Sequence, residues 1–379
     1  MSEFDAERIA RSYLLRVAEP PAPALADFIG ELGPVAAAER VRSAECPPKV
    51  RDETAARRAH DYAERDLERA EAGEARLVIP EDDEWPAWPL LSLAVAQRRG
   101  VSGVAPPPAL WVRGPARLDE AVDQAIAIVG ARAATGYGEH NAAEVGYHLA
   151  SRGIPVFSGA AYGIDGAAHR GALSADGTTV ALLGCGVDVG YPAQHATLLR
   201  SIGKTGAVVS EYPPGTTPAR HRFLVRNRLI AALTEGTVVV EAGRRSGARN
   251  TAGTAGALGK VVMAMPGPVS SAMSAGCHAL IREGEATLVT SVDEILETAG
   301  RFGVAGADPP KPGRRTDRLG PEALRVHDAL SDRSARQVER IAAESGVPVD
   351  RVRSLLPALE LDGFAERGDT GWRRRAAKT

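Results

Sequence analysis

The feature that most constrains this chain is a series of six short, almost entirely apolar runs: Ala125–Val129, Ile154–Phe157, Thr179–Leu183, Ala207–Val209, Thr237–Val240 and Val261–Met263. A strand apolar at nearly every position must be covered on both faces. The helix-length segments between the runs are what parallel strands need to supply that cover. The pattern therefore predicts a doubly wound α/β domain, Rossmann-like, with a mainly parallel sheet.

The flanks read differently, and 379 residues are enough for more than one domain. Residues 1–85 are rich in Ala, Arg and Glu, with helical apolar spacing at Ile9, Leu14, Leu15 and Val17 and breaks at Pro20-Pro21 and Pro47-Pro48. They predict a small helical, SAM-like domain whose last helix, near Asp52–Glu74, is solvated. The α/β domain is expected over 86–304. Residues 305–319 carry Pro309-Pro310 and Pro312-Gly313 and read as a linker. Over 320–379, three short helices (Leu324–Ala329, Ala335–Ser345, Val349–Leu361) precede a hairpin around Gly368-Asp-Thr-Gly371. That order predicts a winged helix.

Charge is unevenly distributed. Asp and Glu outnumber Lys and Arg before Trp85, and the balance reverses after it, so an anionic partner should meet the later part of the chain. Three widely spaced cysteines, Cys46, Cys185 and Cys277, suggest neither a disulfide framework nor a zinc site. With no apolar run long enough to span a bilayer and no leader pattern, the chain is expected to be cytoplasmic and to avoid membranes.

In an open parallel sheet, ligands bind beyond the C-terminal strand ends, where helix N-termini present free N–H groups. Gly130-Ala-Arg132 follows the first apolar run, Ser158-Gly159 the second and Gly184-Cys-Gly186 the third. None spells a dinucleotide fingerprint or a phosphate-binding Gly-Lys-Ser/Thr. Asp165 suits the positive end of a helix dipole. His169 reads as a packed helix residue, and Cys185 as a buried small one with no His to activate it. The richest stretch holds Arg220, Arg222, Arg226, Arg228, Arg244, Arg245 and Arg249 against only Glu235 and Glu241. Its two arginine clusters flank one strand and are expected to converge on an anion. Phe223 among them can stack an unpaired base.

These residues resemble the DNA-processing protein A family (DprA/Smf). The similarity runs in order through Val129-Gly-Ala-Arg132, Phe157-Ser-Gly159 with Gly163-Ile-Asp165, Ser210-Glu-Tyr-Pro-Pro-Gly215, Arg226-Asn-Arg228 and Gly276-Cys-His278. The resemblance implies a dimerising core that coats single-stranded DNA and helps load the RecA recombinase, with a role in natural transformation where that occurs. It places phosphate-holding roles on Arg132, Ser158, Gly159, Arg226, Arg228 and the Ser246-Gly247 turn, and base contact on Phe223. With Arg220, Arg222, Asn227, Arg249 and Thr251 they form the expected DNA-binding set, without catalytic residue, cofactor or metal. Ala131, Tyr162 and Leu224 depart from the usual Ser, Arg and Pro of the family.

Two other readings compete. A nucleotide-processing hydrolase would use Glu241, although no second carboxylate is paired with it. A duplex-binding regulator would act through Val349–Leu361, which carries Arg351 and Arg353 but also Asp350 and Glu360.

Overall fold

A computed structural model describes residues 5–300, 316 and 319–375. The chain divides into two compact units, Met1–Ala305 and Gly306–Thr379.

The first unit is built on nine strands: β1 (Ala75–Val78), β2 (Leu110–Arg113), β3 (Ile126–Val129), β4 (Val156–Ser158), β5 (Thr179–Leu183), β6 (Ala207–Ser210), β7 (Gly236–Val239), β8 (Val261–Ala264) and β9 (Thr287–Leu288). Their spatial order is β1-β2-β6-β5-β4-β3-β7-β8-β9. From β6 to β9 all neighbours are parallel, while β1 and β2 add an antiparallel edge. The six apolar runs are β3 to β8, and their side chains alternate between two cores as a pleated strand requires. Ala127, Val129, Val239 and Ala264 face one core, closed by helices Ala87–Arg98, Arg220–Ala232 and Gly247–Ala257. Ile126, Ile128, Val238 and Met263 face the other, closed by Gly136–Ala150 and Ile164–Ser174. Truncating a fully buried residue such as Ile128 to Ala costs roughly 2–5 kcal/mol.

Five helices, Ala6–Val17, Pro23–Leu32, Pro34–Ser43, Pro48–Thr54 and Ala63–Ala72, precede the sheet. Asp5 caps the first, and three of the others begin with Pro, whose fixed φ suits a first turn. Two expectations are corrected here. The sheet starts at Ala75, ahead of residue 86, because Leu77 packs with Trp111, Leu15 and Leu67 in a core shared by helices and strands. The charged stretch 52–74 is not one solvated helix. Thr54 and Ala63 end and begin two separate helices, and the second buries Asp66, Leu67 and Ala70, with Arg16 Nε 2.7 Å from the Asp66 carboxylate.

The expected linker, 305–319, lies outside the described residues apart from Thr316 and Leu319. The second unit has helices Pro321–Asp328, Val338–Ser345 and Val349–Leu361, then an antiparallel hairpin, β10 (Ala365–Gly368) and β11 (Gly371–Arg374). Val326, Ile341, Val352 and Leu356 fill its core. The three helices and hairpin form the winged helix expected from the sequence.

Candidate nucleic-acid interface

Strand order decides where a ligand can enter. From β3 the chain steps through β4, β5 and β6 on one side, then returns to β7 on the other side of β3. The loops after β3 and β7 therefore diverge, and a crevice opens beyond the carboxyl ends of those two strands. A cleft of about 550 Å³ occupies this switch point. Gly130 shapes its near wall, because a Cβ there would lie 2.4 Å from Ile164. Ala131 N–H donates to the Glu241 carbonyl at 2.7 Å, tying the two loops together at their base.

Around the rim stand Arg132, Arg220 and Arg245, all exposed. With neighbouring Arg244, none has a carboxylate within 4 Å among the described residues. The Arg132 guanidinium lies 5.2 Å above the Phe223 ring, and that ring stacks on Tyr191 at 5.2 Å with 21° between planes. Helices Arg220–Ala232 and Gly247–Ala257 both begin at the cleft. Ala219 gives the first no side-chain cap, while Ser246 caps the second through its Oγ and the Arg249 N–H. Uncapped N–H groups, helix dipoles and unpaired guanidiniums all favour an anion here.

Several residues of the expected DNA-binding set do other work. Arg228 is 2 % exposed and makes a bidentate ion pair with Glu211, at 2.7 and 2.8 Å, while its Nε donates to the Ala105 carbonyl at 3.0 Å. It is a core residue whose guanidinium is already engaged by the protein's own acceptors. Arg222 is held by Glu19 (2.7 Å) and the Thr217 carbonyl, and Arg249 reaches Glu283 at 3.0 Å. Neither lines the cleft. Ser158 is fully buried and its hydroxyl donates to the Ile128 carbonyl at 2.6 Å, so it offers no phosphate contact. Gly159 donates its N–H to Asp165, and a Cβ there would strike the Arg226 guanidinium. It makes room for that arginine. Thr251 hydrogen-bonds the Gly247 carbonyl, and Asn227 bridges to Gly247 and Asn250, so both brace the floor from below.

Arg226 lies between these groups. It is buried under the cleft and donates to the carbonyls of Gly159 and Leu182, with no carboxylate in hydrogen-bond reach. Burial pulls its pKa down to about 10, against the attraction of Asp165, which leaves it charged at neutral pH. Its charge acts on the cleft through the field. Burial pushes the Asp165 carboxyl up, opposed by Arg226 and by the N–H groups of Ala161 and Gly159.

Arg245 and Tyr191 are the residues that sequence reasoning did not place in the set. Arg245 belonged to a cluster already conspicuous in the sequence. Tyr191 carried no signal tying it to Phe223, 32 positions away.

Glu241, the acid of the hydrolase reading, is 1 % exposed. It accepts from the Thr135 N–H (2.9 Å) and hydroxyl (2.7 Å) beneath Gly138, where a Cβ would lie 2.2 Å from its carboxylate. It anchors the loop after β3. Burial raises the Cys185 thiol to about 11, which suppresses its thiolate. In the winged helix, Arg351 pairs with Glu322 (2.8 Å) and Arg353 with Glu339 (3.1 Å), so the two cations of the expected recognition helix are already engaged.

A doubly wound sheet whose switch point carries unpaired arginines and a stacked aromatic, in place of a glycine-rich cofactor turn, defines a Rossmann-like protein with a cationic cleft. Comparison gives this class a family. The DNA recombination-mediator protein A family matches residues 76–300, and the DprA winged helix domain matches residues 309–369. The chain belongs to the DprA/Smf family. It is 50% identical over 364 residues to a Mycobacterium tuberculosis protein bearing the DprA name, covering 96% of this chain and 93% of that one. Protein Smf of Escherichia coli is 38% identical over 262 residues, covering 68% and 69% of the two chains. The X-ray structure of DprA from Streptococcus pneumoniae superposes with a TM-score of 0.62 at 29% identity, covering 78% of this chain and 98% of that one.

Proposed function

We propose that this protein binds single-stranded DNA in the switch-point cleft with little sequence preference, acts in the cytoplasm as a homodimer, and passes the strand to RecA. The observation that carries the reading is the rim of unpaired Arg132, Arg220 and Arg245 around the Phe223 ring. Guanidiniums hold phosphates by charge and paired N–H donors, and an aromatic face accepts whichever base lies against it. A base already paired in a duplex does not offer that face. Membership of a family described as recombination mediators fits delivery to a recombinase, and the structural roles of Glu241 and Cys185 give no support to a hydrolytic site.

The test is titration of labelled single-stranded and duplex DNA of one sequence across a salt series. Wild type should prefer the single strand, with affinity falling steeply as salt rises. Replacing Arg132 and Arg245 by Ala should lower the logarithmic salt slope by about 1.4, since each phosphate contact on a single strand contributes roughly 0.7. An unchanged slope and affinity would refute the cleft as the binding site. Faster assembly of RecA filaments on single strands in the presence of wild type, lost in the same variant, is expected. Sedimentation should return a dimer.

A further inference from the structure

Two further hollows continue from the cleft. Leu224, 49% exposed, lines both the cleft and a groove of about 420 Å³ between helices Arg220–Ala232 and Gly247–Ala257. Ala257 lines both that groove and a third hollow of about 330 Å³ against helix Ala87–Arg98. The three form one track along helix Gly247–Ala257, which at 1.5 Å per residue is about 16 Å long.

The track differs from the rest of the surface in charge. The chain has 48 Asp and Glu residues, yet no carboxylate lines the second or third hollow, and the one lining the cleft is the buried Asp165. At the far end stand Arg99, exposed and with no acid within 4 Å among the described residues, and the half-buried Lys260, which feels Glu235. Beside them Trp88 is 84% exposed, making it the most exposed aromatic among the described residues. The floor is unusual too. Gly253, which lines the second hollow, sits inside a helix, where glycine is unfavourable relative to Ala, and a Cβ there would meet nothing within 4 Å. The protein's own packing does not require this glycine, and its bare backbone lets another chain approach closely.

We propose that the DNA strand leaves the cleft along helix Gly247–Ala257 and stacks a base on Trp88, with Arg99 and Lys260 holding the adjacent phosphates. The proposal rests on the cleft being a single-strand site, and it fixes the direction in which the strand continues. A polyanion with open π-faces fits a carboxylate-free track that has cations at both ends and an aromatic at its exit.

The test compares thymidine oligomers of about 4 and about 16 nucleotides, the range over which single-strand binding folds set their site size. The short oligomer fills the cleft alone, and the long one reaches Trp88. Trp88→Ala should weaken binding of the long oligomer about 10- to 100-fold and leave the short one unchanged, with Trp88→Phe recovering most of the loss. Gly253→Glu, which meets no steric obstacle, should also weaken only the long oligomer. Wild-type tryptophan fluorescence should be quenched by the long oligomer, and Trp88→Phe should abolish the change. Equal binding of the long oligomer by wild type, Trp88→Ala and Gly253→Glu would overturn the track while leaving the cleft intact. So would a Trp88→Ala variant that changed oligomeric state without changing DNA affinity, because that face would then be an interface between copies. Failure of wild type to bind either oligomer would overturn the cleft and the track together.

Discussion

Arg228 looks from the sequence like a phosphate ligand, and the structure makes it part of the core. Arg228→Ala would leave the Glu211 carboxylate, 2 % exposed, without its two guanidinium bonds, and the Ala105 carbonyl without its donor. Removing one partner of a buried ion pair costs about 3–5 kcal/mol, because the remaining charge stays desolvated and unpaired. At 1.4 kcal/mol per decade, the ratio of unfolded to folded chain should rise by roughly two to three and a half orders of magnitude. Urea unfolding followed by far-ultraviolet circular dichroism reads this as a large fall in the midpoint. Replacing both members, Arg228→Met with Glu211→Leu, removes the stranded charge and should recover most of the loss. The folded fraction of either variant should bind single strands as wild type does. A stable Arg228→Ala protein that bound DNA weakly would refute the assignment and return Arg228 to the ligand.

Three other outcomes follow from the same structure. His169 is fully buried, and its Nδ1 lies 2.8 Å from the Thr179 hydroxyl. That hydroxyl gives its proton to the Val156 carbonyl, so Nδ1 carries the hydrogen and Nε2 has no partner. Burial draws the imidazole down to about 3. Between about 3 and 6.5 the unfolded chain therefore binds a proton that the fold excludes, and the His169 contribution to stability rises with pH across that window. Wild type should lose about 2 kcal/mol more than His169→Gln between pH 7 and pH 5, and parallel urea curves would contradict this. Cys46, Cys185 and Cys277 are all buried, with the last two thiols raised to about 11 and about 12, so a disulfide thiol reagent at neutral pH should titrate no thiol in the native protein and all three after denaturation. Arg351→Ala with Arg353→Ala should leave single-strand affinity within about twofold of wild type in anisotropy titrations, because both cations answer acids of their own unit.

The core of the sheet was legible because its strands are buried on both faces, which forces an almost unbroken apolar run at β3 through β8. β1, β2 and β9 escaped notice. Ala75-Arg-Leu-Val78, an edge strand, and Leu110-Trp-Val-Arg113, paired between it and β6, each include a charged residue, and Thr287-Leu288 is too short to leave a pattern. The glycine turns and the arginine-rich segment pointed to the edge of the sheet where the cleft lies. Which arginines face solvent was not legible, since Arg226 and Arg228 differ from Arg220 only in lying further along a crossover helix. The second half of this helix packs against helices Ala87–Arg98 and Gly247–Ala257 as well as the sheet, and the apolar run Leu229–Leu233 immediately after Arg228 was the available sign of that burial. Nothing in the sequence joined Glu211 to Arg228 or Glu19 to Arg222, because those pairs exist only once distant elements are packed.

The position of β3 has a consequence for how the molecule is made. It pairs with β7, about 110 residues further along the chain, and the cleft lies at that junction. During synthesis at roughly 5–20 residues per second, β3 has no neighbour on that side for about 5–20 s. Throughout that interval its unpaired N–H and C=O groups form an adhesive edge beside apolar side chains. The last long-range pairing to close on this strand is also the one that creates the switch-point cleft, so a nascent chain slowed before residue 240 exposes a template for misassembly where the finished protein has its cationic crevice.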